Sequence, residues 1–436
     1  MKKVCIFSSI ALVMVLKLSS PSLAETTTPS KNRAIPYVAT HNDIVREMLW
    51  FANVGKDDIV YDLGSGDGRI AIAAVRDFGA RRAVGIEIDP NRIVESRKNA
   101  QKAGVANRVE FIEGDLFTTD FSQASVVTLF LGHRPNIKLR PKILTVLKPD
   151  TRILSYQFGM GEWETDKALT VRRIYFGMIG RAIGPFDNNP RVPDYTGNES
   201  QLWNSNKILM WIVPAPIAGI WRGKIQTENE QQDIQLTLHQ RLSEAYGKFE
   251  LSGENKLEGG SSIELWGSHI HFLWRPDNIP DRKELKLDGQ VLENTMWGTI
   301  VITKNGEHKE YEWKAQRDKV DFTGTWEWPC ATGPRQVKLR IEREDGNLTA
   351  TYLDQDRILP VTDFYDFGGG FYFTLLIGLE REGFIKTTED TGWLIGEAVF
   401  EQGSLTGRVE FYPSRHDAPA PVIGGDWKPR LVKPAH

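Results

Sequence analysis

Cysteine is nearly absent from this chain. Cys5 and Cys330 are the only two in 436 residues, and Cys5 falls in a segment expected to be cut away. The mature chain therefore has no pair for an internal disulfide and too few thiolates for a structural zinc cluster. A lone Cys330 in a strand-rich stretch reads as packing before nucleophile. An excess of one charge is also missing: the formal net charge is −3, so no global positive field exists to gather nucleic acid or an anionic membrane. Long apolar runs stop early. The run from Val4 to Leu16, behind Lys2 and Lys3, ends at Lys17, short of the ~20 residues that a spanning helix needs. Followed by Ser22-Leu23-Ala24, it reads as a signal peptide over residues 1–24, cleaved after Ala24, and implies a periplasmic or extracellular destination without a transmembrane span. Its loss removes Lys2, Lys3 and Lys17 and no acid, taking the formal charge from −3 to −6.

What is present changes character twice. Residues 25–33 are a polar tether with no apolar anchor. From 43 to 158 helical and strand patterns alternate: a helix over 43–52, then strands at 59–63, 83–88, 109–113, 126–131 and 152–158, with helices at 69–78, 92–103 and 137–147 between them. Such alternation predicts a parallel, doubly wound sheet. Segments 169–178 and 207–213 read as two further strands joined by a Gly-, Pro- and Asn-rich loop, and Pro214-Ala215-Pro216 reads as a short stiff linker.

Beyond Pro216 the pattern is short strands and turns, so residues 217–430 are expected to be all-β. Gly219-Ile220-Trp221 recurs as Gly324-Thr325-Trp326, Gly289-Gln290-Val291 resembles Gly396-Glu397-Ala398, and Gly298-Thr299-Ile300 resembles Gly407-Arg408-Val409. These landmarks keep nearly one offset, which predicts two repeated small barrels or sandwiches over 217–320 and 321–430. Trp221, Trp326, Trp328 and Trp427 are either their plugs or contacts for an apolar ligand.

The strongest chemical signal is Asp62-Leu63-Gly64-Ser65-Gly66-Asp67-Gly68-Arg69 at the end of the first strand. Alternating glycines permit positive φ and let backbone approach a ligand at the carboxyl edge of the sheet. The Asp62 carboxylate suits a cationic amino group. Glu87, at the tip of the second strand, stands where an acid takes ribose hydroxyls. Asp115, after the third strand, can accept an exocyclic amine, with Leu116 against the ring; alone, it would read as a helix cap. Three acids at three consecutive strand ends favour a nucleoside-bearing cofactor with a cationic group.

Together with Glu87 and Gly114-Asp115-Leu116, this motif resembles the class I S-adenosylmethionine (SAM)-dependent methyltransferases. Pro36-Tyr37-Val38 with Thr40, Gly85-Ile86-Glu87-Ile88-Asp89, and Leu139-Arg140-Pro141 with Leu147-Lys148-Pro149 narrow the likeness to the bacterial and mitochondrial non-SET protein-lysine methyltransferases. The resemblance covers about residues 34–165. It implies a Rossmann-like seven-stranded domain over 34–213, SAM as cofactor, a protein substrate, and Tyr37 and Thr40 as cofactor contacts in a segment that closes over it. The Asn/Asp-Pro-Pro-aromatic element of base and glutamine methyltransferases is absent; the chain reads Phe130-Leu131-Gly132-His133-Arg134-Pro135-Asn136. That speaks against a nucleic-acid acceptor and leaves Asn136, in the expected loop over 131–136, as the candidate catalytic residue, ahead of His133.

Methyl transfer from a sulfonium is an in-line displacement that needs a positioned, neutral nucleophile. Phe130, Tyr156, Phe158 and Trp163 either line an apolar channel that disfavours a charged amine or fill the rim of the sheet. Two rival readings stay open. One is an exported binding protein that keeps the fold without transfer; the other is a small-molecule methyltransferase whose β domains bind the acceptor.

Overall fold

The computed structural model describes residues 37–171, 207–227, 231–251, 259–276, 284–304, 306–329, 336–345, 347–354, 357–361, 363–378, 391–401, 404–413, 423–427 and 430–434. The expected signal peptide and tether lie outside them, as do Cys330, the expected Gly-, Pro- and Asn-rich loop and most of the strand expected over 169–178. The chain divides into two compact units, Met1–Tyr37 and Val38–His436, and only Tyr37 of the first is described.

The sheet that positions the site begins after helix α1 (Asn42–Phe51). It alternates β1 (Ile59–Leu63), α2 (Arg69–Arg76), β2 (Arg82–Glu87), α3 (Pro90–Lys102), β3 (Val109–Glu113), β4 (Val126–Leu129), α4 (His133–Val146) and β5 (Arg152–Tyr156), then adds β6 (Lys167–Thr170) and β7 (Lys207–Ile212). The strand order is β3-β2-β1-β4-β5-β7-β6; β1 to β5 pair in parallel and β7 is antiparallel to both β5 and β6. The order reverses between β1 and β4, which opens a crevice at their carboxyl ends.

Burial on both faces explains why these strands read as nearly unbroken apolar runs. In β1, Val60 packs into one layer with α1, α2 and α3, whereas Tyr61 and Leu63 pack into the other with α4. Local signals set the helix ends: Pro90 opens α3, and the Asp89 carboxylate accepts from Asn91 N at 2.8 Å.

The β half holds two kinds of assembly. Strands β8 (Gly219–Gln226) through β15 (Glu307–Arg317) form a closed eight-stranded antiparallel barrel in which β15 returns to β8. Alternation turns Trp221, Leu236, Phe272, Leu287 and Trp313 into an apolar interior, while Lys286, Asp288 and Gln290 stay exposed. The ten strands from β16 (Gly324–Pro329) to β25 (Arg430–Pro434) instead form two five-stranded sheets, one made of the first four strands plus β25 and the other of the five between. Here too the last strand returns to the first. The two Gly-x-Trp landmarks are locally alike: Gly219 has φ 122° and Gly324 φ 134°, and each indole donates four residues back, Trp221 to Ile217 O at 2.7 Å and Trp326 to Phe322 O at 2.8 Å. The other landmarks differ, since Gly289 pairs with Gly298 but Gly396 pairs with Val409.

The short stiff linker expected at 214–216 is packed into the fold. Val213, Ala215 and Ile217 are fully buried, Ala215 N donates to Gly267 O at 2.7 Å, and Gln240 brackets the joint through Ile217 N and Ala215 O. Alternating Pro and apolar residues made this joint rigid by burial as well as by ring constraint. No helix among the described residues is long and apolar enough to cross a membrane.

Candidate functional site

At the tip of β1 the chain makes its sharp turn through Gly64 (φ 79°) and Gly68 (φ 80°). A Cβ on Gly64 would lie 2.6 Å from Leu131 Cδ2, so the segment after β4 rests directly on the glycine turn. Asp62 is buried, and its Oδ1 accepts from Thr128 Oγ1 of β4 at 2.7 Å. Burial pushes its carboxyl up to about 7; the Thr128 bond pulls the other way, and the nearby Asp67 and Glu87 carboxylates push it up further.

Glu87 ties the second strand to the turn. Its carboxylate accepts from Gly66 N at 2.9 Å, Ile88 N at 2.8 Å and Asp89 N at 2.9 Å. Asp115 is exposed on the loop after β3 and accepts from Phe117 N at 2.9 Å, with Leu116 buried beside it. Thr40 is buried, and its carbonyl accepts from Arg69 Nη1 at 2.8 Å. Arg69 also holds Asp67, Nε to Oδ1 at 2.9 Å. One guanidinium thus fastens the segment before α1 to the glycine turn, a connection the motif alone did not reveal, although an acid two residues ahead of an arginine at a helix start was its visible trace. Tyr37 is 43% exposed. Thr40, Asp62, the three glycines and Glu87 are therefore one connected set, and Asp115 sits on the neighbouring loop.

The acceptor side differs from expectation in two ways. Residues from 133 onward are helical rather than loop, because Pro135 falls in the first turn of α4, where its missing N–H costs nothing. Asn136 is consequently a fully buried residue of that turn. Its Nδ2 donates to Ser155 Oγ and to Phe158 O, both at 3.0 Å, and its Oδ1 has no partner among the described residues. Phe130 lies 5.2 Å from Tyr156 and 5.8 Å from Phe158, and His133 meets Phe158 edge-on at 5.2 Å. Trp163 stands apart: it packs in the α4 layer with Trp211, whose Nε1 donates to Trp163 O at 2.9 Å, while Phe130 and Tyr156 pack on the other face of the sheet.

A family model described as the ANTKMT methyltransferase domain matches residues 62–167. A protein-lysine N-methyltransferase of Saccharolobus islandicus (strain REY15A) is 46% identical over 152 residues, which are 34% of this chain and 94% of that protein. The chain belongs to the protein-lysine methyltransferase family. A second relative, a human lysine N-methyltransferase named for an ATP synthase component, is 30% identical over 156 residues, 36% of this chain and 64% of its own length. Among solved structures, an RNA methyltransferase from Salinibacter ruber in complex with S-adenosyl-L-homocysteine shares 39% identity over 41% of this chain and 96% of that chain, with a TM-score of 0.33.

The protein is thus a SAM-dependent methyltransferase, and the residues present fit that cofactor. Three carboxylates, Asp62, Asp67 and Glu87, crowd one turn, and the innermost holds its proton to about pH 7. Such a site is short of positive charge, and a ligand carrying an ammonium and a sulfonium corrects the deficit. SAM supplies an activated methyl group. The chain brings to that place a glycine-rich turn, a buried carboxylate and an aromatic group next to it.

Proposed function

We propose that this methyltransferase transfers the methyl group to a lysine side chain of a protein partner. In this reading Asp62 takes the amino group of the cofactor, Glu87 the ribose hydroxyls, Asp115 the adenine amine, and Leu116 packs on the ring, with Thr40 completing the cover. The observation that carries the lysine assignment is the aromatic group Phe130, His133 and Phe158 beside Asn136, whose buried Oδ1 has no donor among the described residues. An apolar, aromatic surround disfavours the hydration of an alkylammonium, which eases loss of the proton. A carbonyl oxygen then aligns the neutral amine by accepting one N–H, leaving the lone pair toward the methyl carbon. Bound SAM would supply the methyl group, its sulfur leaving with the electron pair as a neutral thioether, and the excess proton on the methylated amine would go to solvent.

Asn136→Ala should lower kcat about 100-fold while leaving SAM affinity unchanged. Incubation of the mature chain with methyl-labelled SAM and a lysate of its own cells reads the acceptor. Label recovered as methyl-lysine supports the proposal; label that resists protease but not ribonuclease, or that stays in small molecules, overturns it. We further infer that the two β units are copies of one ancestral meander, on the matched Gly-x-Trp geometry, and that residues 1–24 direct export; fractionation with a processed terminus at Glu25 checks the latter.

A further inference from the structure

The archaeal relative is matched almost whole by 152 residues of this chain, which leaves the β half without a counterpart in it. One strand of that half reaches the cofactor side of the methyltransferase domain. Among the described residues, strand β20 (Asp363–Asp366) is the outer strand of its sheet and pairs with β21 (Gly370–Gly378). Alternation divides its side chains. Phe364 packs inward, 5.0 Å from Phe371 in the C-terminal core, while Tyr365 and Phe367 pack into the α4 layer of the methyltransferase sheet. Asp363 shares the parity of Tyr365 and Phe367, so it too faces α4, and the Tyr365 hydroxyl donates to its Oδ1 at 3.4 Å.

Facing it, α4 presents two lysines to the loop that carries Asp115. Lys142 is 9% exposed and donates from Nζ to Phe117 O at 2.9 Å and Thr119 O at 2.7 Å. Lys138 Nζ sits 3.9 Å above the Phe117 ring. Phe117 N in turn donates to the Asp115 carboxylate. We propose that β20 is a fixed buttress of the adenine-recognising loop, with Asp363 acting as a positioning residue that sets cofactor affinity through Lys138 and Lys142. This rests on the reading of Asp115 as the adenine acceptor.

The electrostatics agree. Burial lowers the pKa of both ammonium groups, and Asp363 is the largest influence opposing that on each, ahead of Asp115 on Lys138 and ahead of Asp120 and Asp115 on Lys142. Among the described residues, the acids that act on the pair are Asp115 and Asp120 from the loop and Asp363 from β20. Without Asp363 both ammonium groups lose the largest influence that keeps them charged, and their pKa values fall.

The test uses the full mature chain and two probes, S-adenosyl-L-homocysteine and S-inosyl-L-homocysteine, in which a ring carbonyl replaces the adenine amine. Asp363→Asn should weaken the adenosyl probe about tenfold with little change in the inosyl probe and kcat at saturating SAM within about twofold. Asp363→Glu should recover most of the loss. The alkaline limb of adenosyl affinity should also move to lower pH in Asp363→Asn, because its lysines deprotonate earlier, an effect that mere loosening of the fold does not produce. Lys138→Gln should show the same selective loss and serves if Asp363→Asn does not fold. Equal loss of both probes, or none, in these variants overturns the buttress. Asp115→Ala tests the adenine reading separately: it should bind both probes alike, and retained discrimination there refutes that reading, whereas lost discrimination there with an unaltered Asp363→Asn refutes only the buttress.

Discussion

At the scale of single residues, Asp62 decides how the site responds to pH. A carboxyl held up to about 7 by burial is largely protonated in mildly acidic solution, yet in the role proposed for it, it needs its charge to meet an ammonium. Binding lowers its pKa, so below pH 7 each cofactor bound releases a proton, and affinity rises with pH, by at most about tenfold per unit, to a plateau above 7. Calorimetry in buffers of different ionisation enthalpy, between about pH 5.5 and 8.5, reads both effects. Thr128→Val removes the hydrogen bond that stabilises the ionised form and should carry the plateau to higher pH. Asp62→Asn should flatten the profile and weaken binding by about 1.5–3 kcal/mol. The same proton sets a stability trend in the ligand-free protein. The folded pKa lies above the unfolded one, so stability is full below the ordinary carboxylate range and declines as pH rises toward 7.

At the scale of elements, the turn between β1 and α2 shows how much a missing side chain matters. Gly68 combines φ 80° with a virtual Cβ 2.4 Å from Phe111 Cζ, whereas Gly79 has φ 74° and nothing within 4 Å. Gly79→Ala should therefore cost only backbone strain, about 1 kcal/mol, while Gly68→Ala should cost about 2–4 kcal/mol in chemical denaturation and weaken SAM binding as well. Equal costs would mean that Phe111 yields freely. This turn was legible in the sequence because its requirement is local: glycine at fixed spacing behind a β-rich run. Strands 59–63 and 109–113 were legible for the same reason, and their observed bounds agree. The start of α4 was misread because proline, a breaker in a helix interior, is tolerated in the first turn. Sequence left Trp163 open between channel and rim because position after β5 does not say which face of the sheet the returning chain crosses; it packs in the α4 layer. The closed barrel beside the divided second β unit was not legible either. Strands announce themselves locally, but closure depends on whether distant first and last strands and every neighbour between them find hydrogen-bond partners.

At the scale of the whole molecule, isolated charges join what the periodic patterns build. Glu162 binds Arg241 of the barrel and Arg408 of the C-terminal unit at once, and Asp150 Oδ1 accepts from Ser268 N at 3.0 Å in a barrel turn. Arg317 is the deepest of these joints. Its Nη1 donates to Ala218 O at 3.3 Å and Phe367 O at 2.8 Å, its Nη2 donates to Glu293 O at 3.1 Å and to Pro216 O, and its guanidinium lies 4.5 Å over the Trp221 ring. One planar group therefore satisfies carbonyls from the interdomain joint, a barrel turn and the segment just after β20. No local spacing marks such a residue, which is why it escaped the sequence reading. A lysine keeps the charge but not the fork, and one ammonium with three N–H groups cannot serve four carbonyls. Arg317→Lys should then leave buried acceptors unmet and cost on the order of 3–5 kcal/mol, with the denaturation midpoint falling for the methyltransferase sheet and the barrel together, because Phe367 packs into the α4 layer. Tryptophan fluorescence and loss of SAM binding, followed in the same titration, should move in step. A midpoint within about 0.5 kcal/mol of the parent, or a shift seen by fluorescence while SAM binding persists, would show that the domains are held together by their apolar contacts and do not depend on this guanidinium.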